Sequence, residues 1–197
     1  AVFVAILLAE MTSKLKKIYQ IIILLPFMIS MVIVSYLVFG FLSNVNGFLN
    51  NTILKALGKE PVQWYMQKQY WPFILVFVNA WKVIGYNCII YLSTILGIDR
   101  SIYESASIDG AGKWTQIAKI TIPLLKPTII MMTLLAVGRI FYSDFGLFYQ
   151  VPQNQGALFS VTNTIDTYVY RGLMETNNIG MSAAAGLYQS LVGFLLV

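Results

Sequence analysis

The side chains that could do chemistry in this chain are gathered in one charged segment, GIDRSIYESASIDGAGKWTQIAKITIPLLKPT, residues 97–128. The carboxylates and hydroxyls of this segment have no histidine to act with, because the chain contains none, and histidine is a common general base and metal ligand. The single cysteine, Cys88, provides neither a disulfide framework nor a cysteine-rich zinc site. No Walker A loop is present to cradle phosphates. We therefore predict no catalytic residues, no metal and no cofactor, and we expect the segment to act through hydrogen bonds and charge.

The first half of this segment has the pattern of a capped helix followed by a turn. Ser101 and Glu104 have the S-x-x-E spacing of a capping box, in which the serine accepts from a backbone N–H and the glutamate reaches back to the cap. The pattern predicts a helix that begins at Ser101. Gly110 and Gly112 follow Asp109 and can adopt a positive φ without a Cβ clash, so we expect the helix to end and the chain to reverse there.

The second half of the segment has the pattern of a short amphipathic helix. Trp114, Ile117 and Ala118 lie at helical spacing, with Thr121 one turn further, so we expect them to form one apolar face. Pro123 and Pro127 are expected to bound this helix, because proline lacks the N–H that a helix interior uses.

The elements that must position this segment are apolar and long. The chain is 58% hydrophobic and 11% charged, against about 25% charged in soluble domains, and its mean hydropathy is +0.72. These values indicate an integral membrane protein. Both ends lie within apolar sequence, so we expect at least one truncated span. Apolar runs of about 20 residues predict one all-α transmembrane bundle over residues 1–197, with a partial span at 1–9 and further spans near 18–42, 72–96, 127–149 and 179–197.

The charged segment closely resembles the cytoplasmic coupling loop of binding-protein-dependent ABC importer permeases with a MetI-like transmembrane domain. That loop is written E-A-A, three residues, G, nine residues, I-x-L-P, and this chain has the same spacing, with Ser105 in place of Ala and Ile122 in place of Leu. The resemblance implies that cytoplasmic ATPase subunits dock on residues 97–126, with ATP hydrolysed by those subunits. The residues to which it assigns this coupling role are Ser101, Glu104, Ser105, Ala106, Asp109, Gly110, Ala111, Ile120, Ile122 and Pro123.

The basic residues predict an orientation. Short Lys-rich loops mark the cytoplasmic side of a membrane protein, which places the loop with Lys14, Lys16 and Lys17 on that side together with the charged segment. The longer connections, residues 43–71 and 150–178, are then external. The net charge of +5 is spread over loops on both sides, so it does not predict nucleic-acid binding.

Two ionisable residues, Lys82 and Arg139, are predicted to lie deep within spans, where charge is costly and usually faces a cavity or a partner. Asp144 is a candidate counter-charge. Flat rings can stack on sugars while amides bond hydroxyls, so the neighbouring residues suggest a saccharide pathway, although snorkelling lysines and interfacial aromatic belts produce the same composition. The candidate pathway residues are Trp81, Lys82, Tyr86, Asn87, Tyr142 and Asp144.

The final span carries a stripe of small residues. Ser182, Gly186 and Ser190 fall four apart, and such a stripe lets helices approach closely in lipid. We expect it to be a packing face, whose partner helix lies either in this subunit or in a second one.

A narrower resemblance concerns the substrate. The run SDFGLFYQVPQNQGALFSVTNTIDTYVYRG, residues 143–172, is similar to the corresponding segment of LplB-type permeases, a branch of the carbohydrate importers. The resemblance implies an oligosaccharide substrate, a second related permease subunit, an extracellular substrate-binding protein and a location in the bacterial cell membrane. Two alternatives stay open: an ABC permease for a peptide, amino acid or ion, and a secondary transporter or channel that needs no ATPase.

Overall fold

The computed structural model describes residues 1–11 and 13–196, and the secondary structure of these residues is helical throughout. Short 3₁₀ and π turns connect the α-helices. The α-helices in chain order are α1 Val2–Glu10, α2 Ser13–Met28, α3 Met31–Leu42, α4 Trp71–Leu96, α5 Arg100–Ile108, α6 Lys113–Gln116, α7 Ile122–Val137, α8 Phe159–Thr162, α9 Ile165–Met174 and α10 Ile179–Leu196.

The chain forms two compact units, and each is built from two separate stretches of sequence. The first unit contains residues 1–28 and 81–137, and the second contains residues 29–80 and 138–197; Thr12 and Val197 in these ranges lie outside the described residues. Helix α4 contributes its first ten residues to the second unit and the remainder to the first. The single-domain organisation stays a prediction.

The core of the first unit joins α1, the later part of α4 and the start of α7. Its central side chains are apolar and fully buried: Ala5, Cys88 and Leu125 each have no exposed surface. Cys88 thus packs as a small hydrophobic residue. Helix α2 approaches α4 closely at Gly85, where an added Cβ would lie 2.0 Å from the carbonyl oxygen of Ile23.

The core of the second unit is built around Trp71 and Val34, which are both fully buried. The indole Nε1 of Trp71 donates to the carbonyl oxygen of Trp64 at 2.8 Å. Asn50, which is 3% exposed, organises the connection between α3 and α4: its Nδ2 donates to the carbonyl of Val62 at 3.0 Å, and its Oδ1 accepts from Trp64 Nε1 at 3.0 Å. The long connection 43–71 is therefore internally bonded.

Among the residues that the structure describes, two helices are long and apolar enough to cross a membrane, Lys68–Leu96 with 29 residues and Lys113–Val137 with 25 residues. A third span results if α2 and α3 are counted together. The span predicted near 18–42 consists of two helices, because α2 ends at Met28 and Ser30 caps α3 by accepting from the N–H of Ile33 at 3.4 Å. The number of spans in the membrane stays a prediction.

The predicted span 127–149 is wrong at its C-terminal end. Helix α7 ends at Val137, Arg139 lies in the turn that follows, and the next helical turn begins only near Phe145. The apolar residues Ile140 to Tyr142 within this break extended the predicted span, although Gly138, Arg139, Ser143 and Asp144 lie on either side of them.

Candidate functional site

The candidate site is the hairpin formed by residues 99–123, which lies within the first unit. Its first helix, α5, begins at Arg100, and its N-cap is Asp99, whose carboxylate accepts from the N–H of Ser101 at 2.9 Å. Hydrogen bonds from the backbone N–H and from the side chain of Ser101 hold the pKa of the Asp99 carboxyl below its usual range. The capping-box prediction is therefore wrong: Ser101 lies in the first turn, because the charged Asp99 is the stronger acceptor at the positive end of the helix.

The turn that follows α5 confirms one glycine prediction and contradicts the other. Gly110 has φ +78°, and the N–H of Ala111 donates to the carbonyl of Ala106 at 2.8 Å, the long bond of a Schellman motif. Gly112 has φ −67° and is the N-cap of α6. The reversal therefore needs glycine at Gly110, whereas any residue could adopt the φ of Gly112.

The return arm does not end at the prolines as predicted. A π turn over Ile117–Thr121 connects α6 directly to α7, so Lys113–Val137 is one continuous helix. The N–H of Ile122 donates to the carbonyl of Ile117, five residues earlier. Pro123 occupies the second position of α7, and Pro127 lies inside it. The return arm of the hairpin is thus continuous with a helix that is long and apolar enough to cross a membrane.

The inward face of the return arm differs in part from the predicted one. Trp114, predicted to lie on this face, is 80% exposed, whereas Gln116 and Thr121 are 6% and 4% exposed. The prediction is therefore wrong at Trp114, because Gln116 points inward instead and bonds Ser107 and the carbonyl of Ala111, and it is confirmed at Thr121.

Two side-chain hydrogen bonds hold the arms of the hairpin together. The hydroxyl groups of Tyr103 and Thr121 are 2.9 Å apart. Gln116 Nε2 donates to Ser107 Oγ at 2.9 Å and to the carbonyl of Ala111 at 3.0 Å. Of these four side chains only Thr121 was predicted to face inward. Tyr103, Ser107 and Gln116 were not predicted, because nothing in their spacing distinguishes them from polar residues on a solvated face.

The outer face of the hairpin exposes large apolar side chains. Ile108 is 88% exposed and Trp114 is 80% exposed. Glu104 and Asp109, from the predicted coupling set, are also exposed. The remaining members of that set divide between half-buried residues, Ala106, Ala111 and Ile120, and exposed residues, Ser101, Ser105, Gly110, Ile122 and Pro123.

An ion pair attaches the hairpin to α1. Lys113 Nζ lies 2.8 Å from Glu10 Oε2, with both side chains substantially exposed. Glu10 was not singled out by sequence analysis, because it is distant in the chain and the pairing depends on the fold. An exposed pair of this kind contributes little stability, so we regard it as an orienting contact.

Within the first unit, Lys82 and Tyr86 both contact the C-terminal end of α2, as their four-residue spacing on α4 predicts. Lys82 Nζ donates to the carbonyl oxygens of Pro26 and Phe27, both at 3.3 Å. The ring of Tyr86 stacks on Phe27, with centroids 4.8 Å apart and planes 15° apart. Trp81 is 38% exposed and Asn87 is half-buried.

The other two predicted pathway residues belong to the second unit and lie outside α7. Tyr142 is 50% exposed and packs beside Gly193 of α10. Asp144 is exposed and accepts from the N–H of Leu147 at 3.0 Å, so it caps the helical turn that follows. The prediction that they lie within a spanning helix is wrong for the reason given above. Their role in the pathway, and that of Asp144 as a counter-charge, stay predictions.

A polar network surrounds the break after α7. Ser143 donates to Asp166 Oδ2 from its backbone N–H at 2.7 Å and from its hydroxyl at 2.6 Å. Gln189 of α10 is 4% exposed, and its Nε2 donates to Asp166 Oδ1 at 3.1 Å and to the carbonyl of Phe141 at 2.7 Å. The broken segment is therefore fixed to α9 and α10.

The predicted stripe of small residues packs only at its first position. Ser182 is 2% exposed, and its hydroxyl lies 2.2 Å from the position that a Cβ on Gly172 would occupy, so α9 and α10 approach closely there. Gly186 faces open space and Ser190 is exposed. The partner helix at Ser182 is thus α9 of the same subunit.

Comparison with known proteins identifies the class to which this fold and hairpin belong. The family model described as binding-protein-dependent transport system inner membrane component matches residues 1–197. The chain therefore belongs to this family of membrane permease components, and the predicted resemblance to it is confirmed.

Individual relatives agree with this assignment. The chain is 31% identical over 197 residues to the polygalacturonan/rhamnogalacturonan transport system permease protein YteP of Bacillus subtilis (strain 168), covering 100% of this chain and 60% of that protein. It is 29% identical over 194 residues to Protein LplB of the same organism, covering 98% of this chain and 60% of LplB. The chain thus spans about three fifths of the length of these relatives.

The fold also matches a solved transporter. A bacterial alginate ABC transporter in complex with alginate pentasaccharide-bound periplasmic protein superposes with a TM-score of 0.90 and 33% sequence identity. The match covers 99% of this chain and 67% of the other. The predicted all-α, MetI-like permease fold is therefore confirmed.

Proposed function

We propose that this chain is the transmembrane permease subunit of an ATP-driven ABC importer for oligosaccharides. The observation that carries the proposal is the hairpin: a capped helical reversal, continuous with a spanning helix, that exposes Ile108 and Trp114 on its outer face. Large apolar side chains uncovered in an aqueous loop indicate a protein partner. In a family of binding-protein-dependent permeases, the ATPase subunit is the partner that must contact the cytoplasmic loops.

In the proposed mechanism the chain performs no chemistry. Closure of two ATPase subunits upon ATP would displace α5, and the hairpin would transmit that displacement into α7 because the return arm and α7 are one helix. The spans would then exchange between inward-open and outward-open arrangements. The ion pair of Glu10 with Lys113 would carry part of the displacement to α1.

The proposed substrate is a saccharide. The relative YteP is a polygalacturonan/rhamnogalacturonan transport system permease protein, and the structural neighbour was solved in complex with an alginate pentasaccharide-bound periplasmic protein. Trp81, Tyr86 and Asn87 offer rings and an amide for a sugar, with Tyr142 and Asp144 as further candidates. Lys82 contributes by holding the end of α2 beside this surface.

The proposed assembly is a multi-pass complex in the bacterial cell membrane. It comprises this chain, a second related permease, two cytoplasmic ATPases and an extracellular binding protein. The hairpin faces the cytoplasm, and the connections 43–71 and 150–178 face outward, since positive charge is concentrated in the loops on the hairpin side.

Two measurements test the proposal. Affinity purification of the intact permease from its own membrane should recover an ABC ATPase, and a ligand screen on the associated binding protein should yield an oligosaccharide. Recovery without any ATPase would indicate a secondary transporter or channel. A binding protein that takes only peptides, amino acids or ions would retain the ABC assignment and overturn the sugar assignment.

A further inference from the structure

The two hydrogen-bonded pairs inside the hairpin lie at the two ends of its π turn. Gln116 is the residue immediately before the turn, and Thr121 is its last residue. Their partners, Ser107 and Tyr103, are four residues apart on α5 and therefore lie on one face of that helix. Helix α5 is thus hydrogen-bonded to both ends of the π turn in the other arm.

These contacts are shielded from water on the side of the return arm. Gln116 and Thr121 are 6% and 4% exposed, whereas Tyr103 is half-buried and Ser107 is exposed. A hydrogen bond that is shielded holds its geometry more firmly than one that competes with solvent. The amide of Gln116 also donates to the carbonyl of Ala111 in the turn, so one side chain bonds α5, the turn and α6 at once.

Ser107 links the two pairs. Its hydroxyl accepts from Gln116 and donates to the backbone carbonyl of Tyr103 at 2.8 Å. Tyr103 in turn reaches Thr121 through its phenol. The four side chains therefore form a continuous connection from the end of α6, along α5, to the start of α7.

We propose that Tyr103, Ser107, Gln116 and Thr121 are positioning residues that make α5, the π turn and the start of α7 move as one body during transport. The proposal rests on the proposed function, since it assigns these residues to the transmission of ATPase closure. A π turn is a wide and irregular part of a helix. Without the two pairs, displacement of α5 would be absorbed by bending at that turn, and α7 would not follow.

The consequence is a loss of coupling and not a loss of assembly. The outer residues that would contact the ATPase, such as Ile108 and Trp114, are separate from the inward-facing pairs. A variant without a pair would still bind the ATPase and permit ATP hydrolysis. It would transport fewer sugar molecules for each ATP.

The test uses the complete importer reconstituted in liposomes with sugar-loaded binding protein, and it measures ATP hydrolysis and sugar uptake in the same sample. Thr121→Val removes a hydroxyl at nearly constant volume and should lower the uptake per ATP about fivefold, the change expected for one hydrogen bond of ordinary strength. Thr121→Ser keeps the hydroxyl and should restore the ratio. Thr133→Val, which removes a hydroxyl bonded only to Ile129 within α7, should leave the ratio unchanged.

A second variant protects the test against a folding failure. Tyr103→Phe removes only the other hydroxyl of the same bond, and it should lower the ratio to the same extent as Thr121→Val. The combined variant should be no worse than either alone, because both remove one interaction. Additive losses, or unchanged ratios in Thr121→Val and Tyr103→Phe, would overturn the inference. A wild-type importer whose ATPase does not respond to sugar-loaded binding protein would instead overturn the proposed function.

Discussion

Lys82 Nζ of α4 donates to the carbonyl oxygen of Pro26 in the last turn of α2, at 3.3 Å. The carbonyls in the last turn of a helix have no partner within it and carry partial negative charge. The ammonium group therefore stabilises the end of α2 where that helix breaks. This relationship explains how a lysine is accommodated in the middle of a long apolar helix.

Replacing Lys82 should destabilise the permease. Lys82→Met keeps the length of the side chain and removes its charge. We expect the free energy of unfolding to fall by about 1.5–3 kcal/mol, the contribution typical of hydrogen bonds to a charged group. The midpoint of thermal unfolding of the purified, detergent-solubilised protein measures this destabilisation. Lys55→Met, in an exposed part of the connection between α3 and α4, is the matched control. Equal midpoints for the two variants would show that the contact does not stabilise α2.

The close approach of α2 and α4 at Gly85 should tolerate no larger residue. Gly85→Ala would bring a Cβ to 2.0 Å from the carbonyl oxygen of Ile23, so the backbones must separate at a cost of about 1–3 kcal/mol. Gly186→Ala is the control, because nothing lies within 4 Å of the added methyl group. The amount of folded protein recovered from membranes should fall for Gly85→Ala alone. Normal recovery of both variants would contradict the close packing.

The network at Asp166 should depend on pH. Burial raises the pKa of the Asp166 carboxyl, but hydrogen bonds from Ser143 and Gln189 outweigh it and hold the pKa below its usual range. A lowered folded-state pKa stabilises the protein above about pH 4, and that stability is lost as the pH falls through the folded value. We expect Asp166→Asn to lower the free energy of unfolding by about 1 kcal/mol at pH 7, given the partial exposure of the carboxyl.

The measurement is the unfolding midpoint of Asp166→Asn against wild type from pH 3 to pH 8. The difference should be constant above about pH 5 and should shrink below about pH 4. Glu60→Gln, at an exposed carboxylate, supplies the control. A difference that persists unchanged at pH 3 would show that the charge of Asp166 is not what stabilises the network.

The orientation of the hairpin can be measured by cysteine labelling. In a Cys88→Ala background, a cysteine at Lys113 should be protected from an impermeant thiol reagent in intact cells, and a cysteine at Asn51 should react. Both positions are exposed in the structure, so access depends on the side of the membrane. Labelling at position 113 with protection at position 51 would invert the topology and remove the hairpin from the ATPase side.

The sequence was sufficient for features that depend on local chemistry. The reversal at Gly110 follows from glycine at a position of positive φ, and the long helix Lys68–Leu96 follows from sustained hydropathy. The sequence was insufficient where two neighbouring residues could each serve as the N-cap of the same helix. Asp99 and Ser101 are both good caps, and only the structure shows that the carboxylate is the one used.

Other features depend on partners distant in the chain. The break after Val137 is stabilised by the contact of Asp166 with Ser143, which spans more than twenty residues. The hydrogen bond of Gln116 with Ser107 likewise forms across the turn of the hairpin. No periodicity in a single sequence identifies such a pair before the fold is known.

The measurement that tests the central claim most directly is ATP-dependent oligosaccharide uptake into liposomes that contain the complete importer, compared between wild type and Gly110→Val. The positive φ of Gly110 excludes a β-branched residue without strain of about 1–3 kcal/mol, so the reversal of the hairpin should fail while the spans remain intact. Gly112→Ala, at an ordinary φ with open space around it, is the control. We predict ATP-dependent uptake and substrate-stimulated ATPase activity for importers that contain the wild-type or the Gly112→Ala permease. Importers that assemble with the Gly110→Val permease should lose both activities. Wild-type uptake and stimulation in assembled Gly110→Val would contradict the account that this hairpin couples ATP hydrolysis to transport.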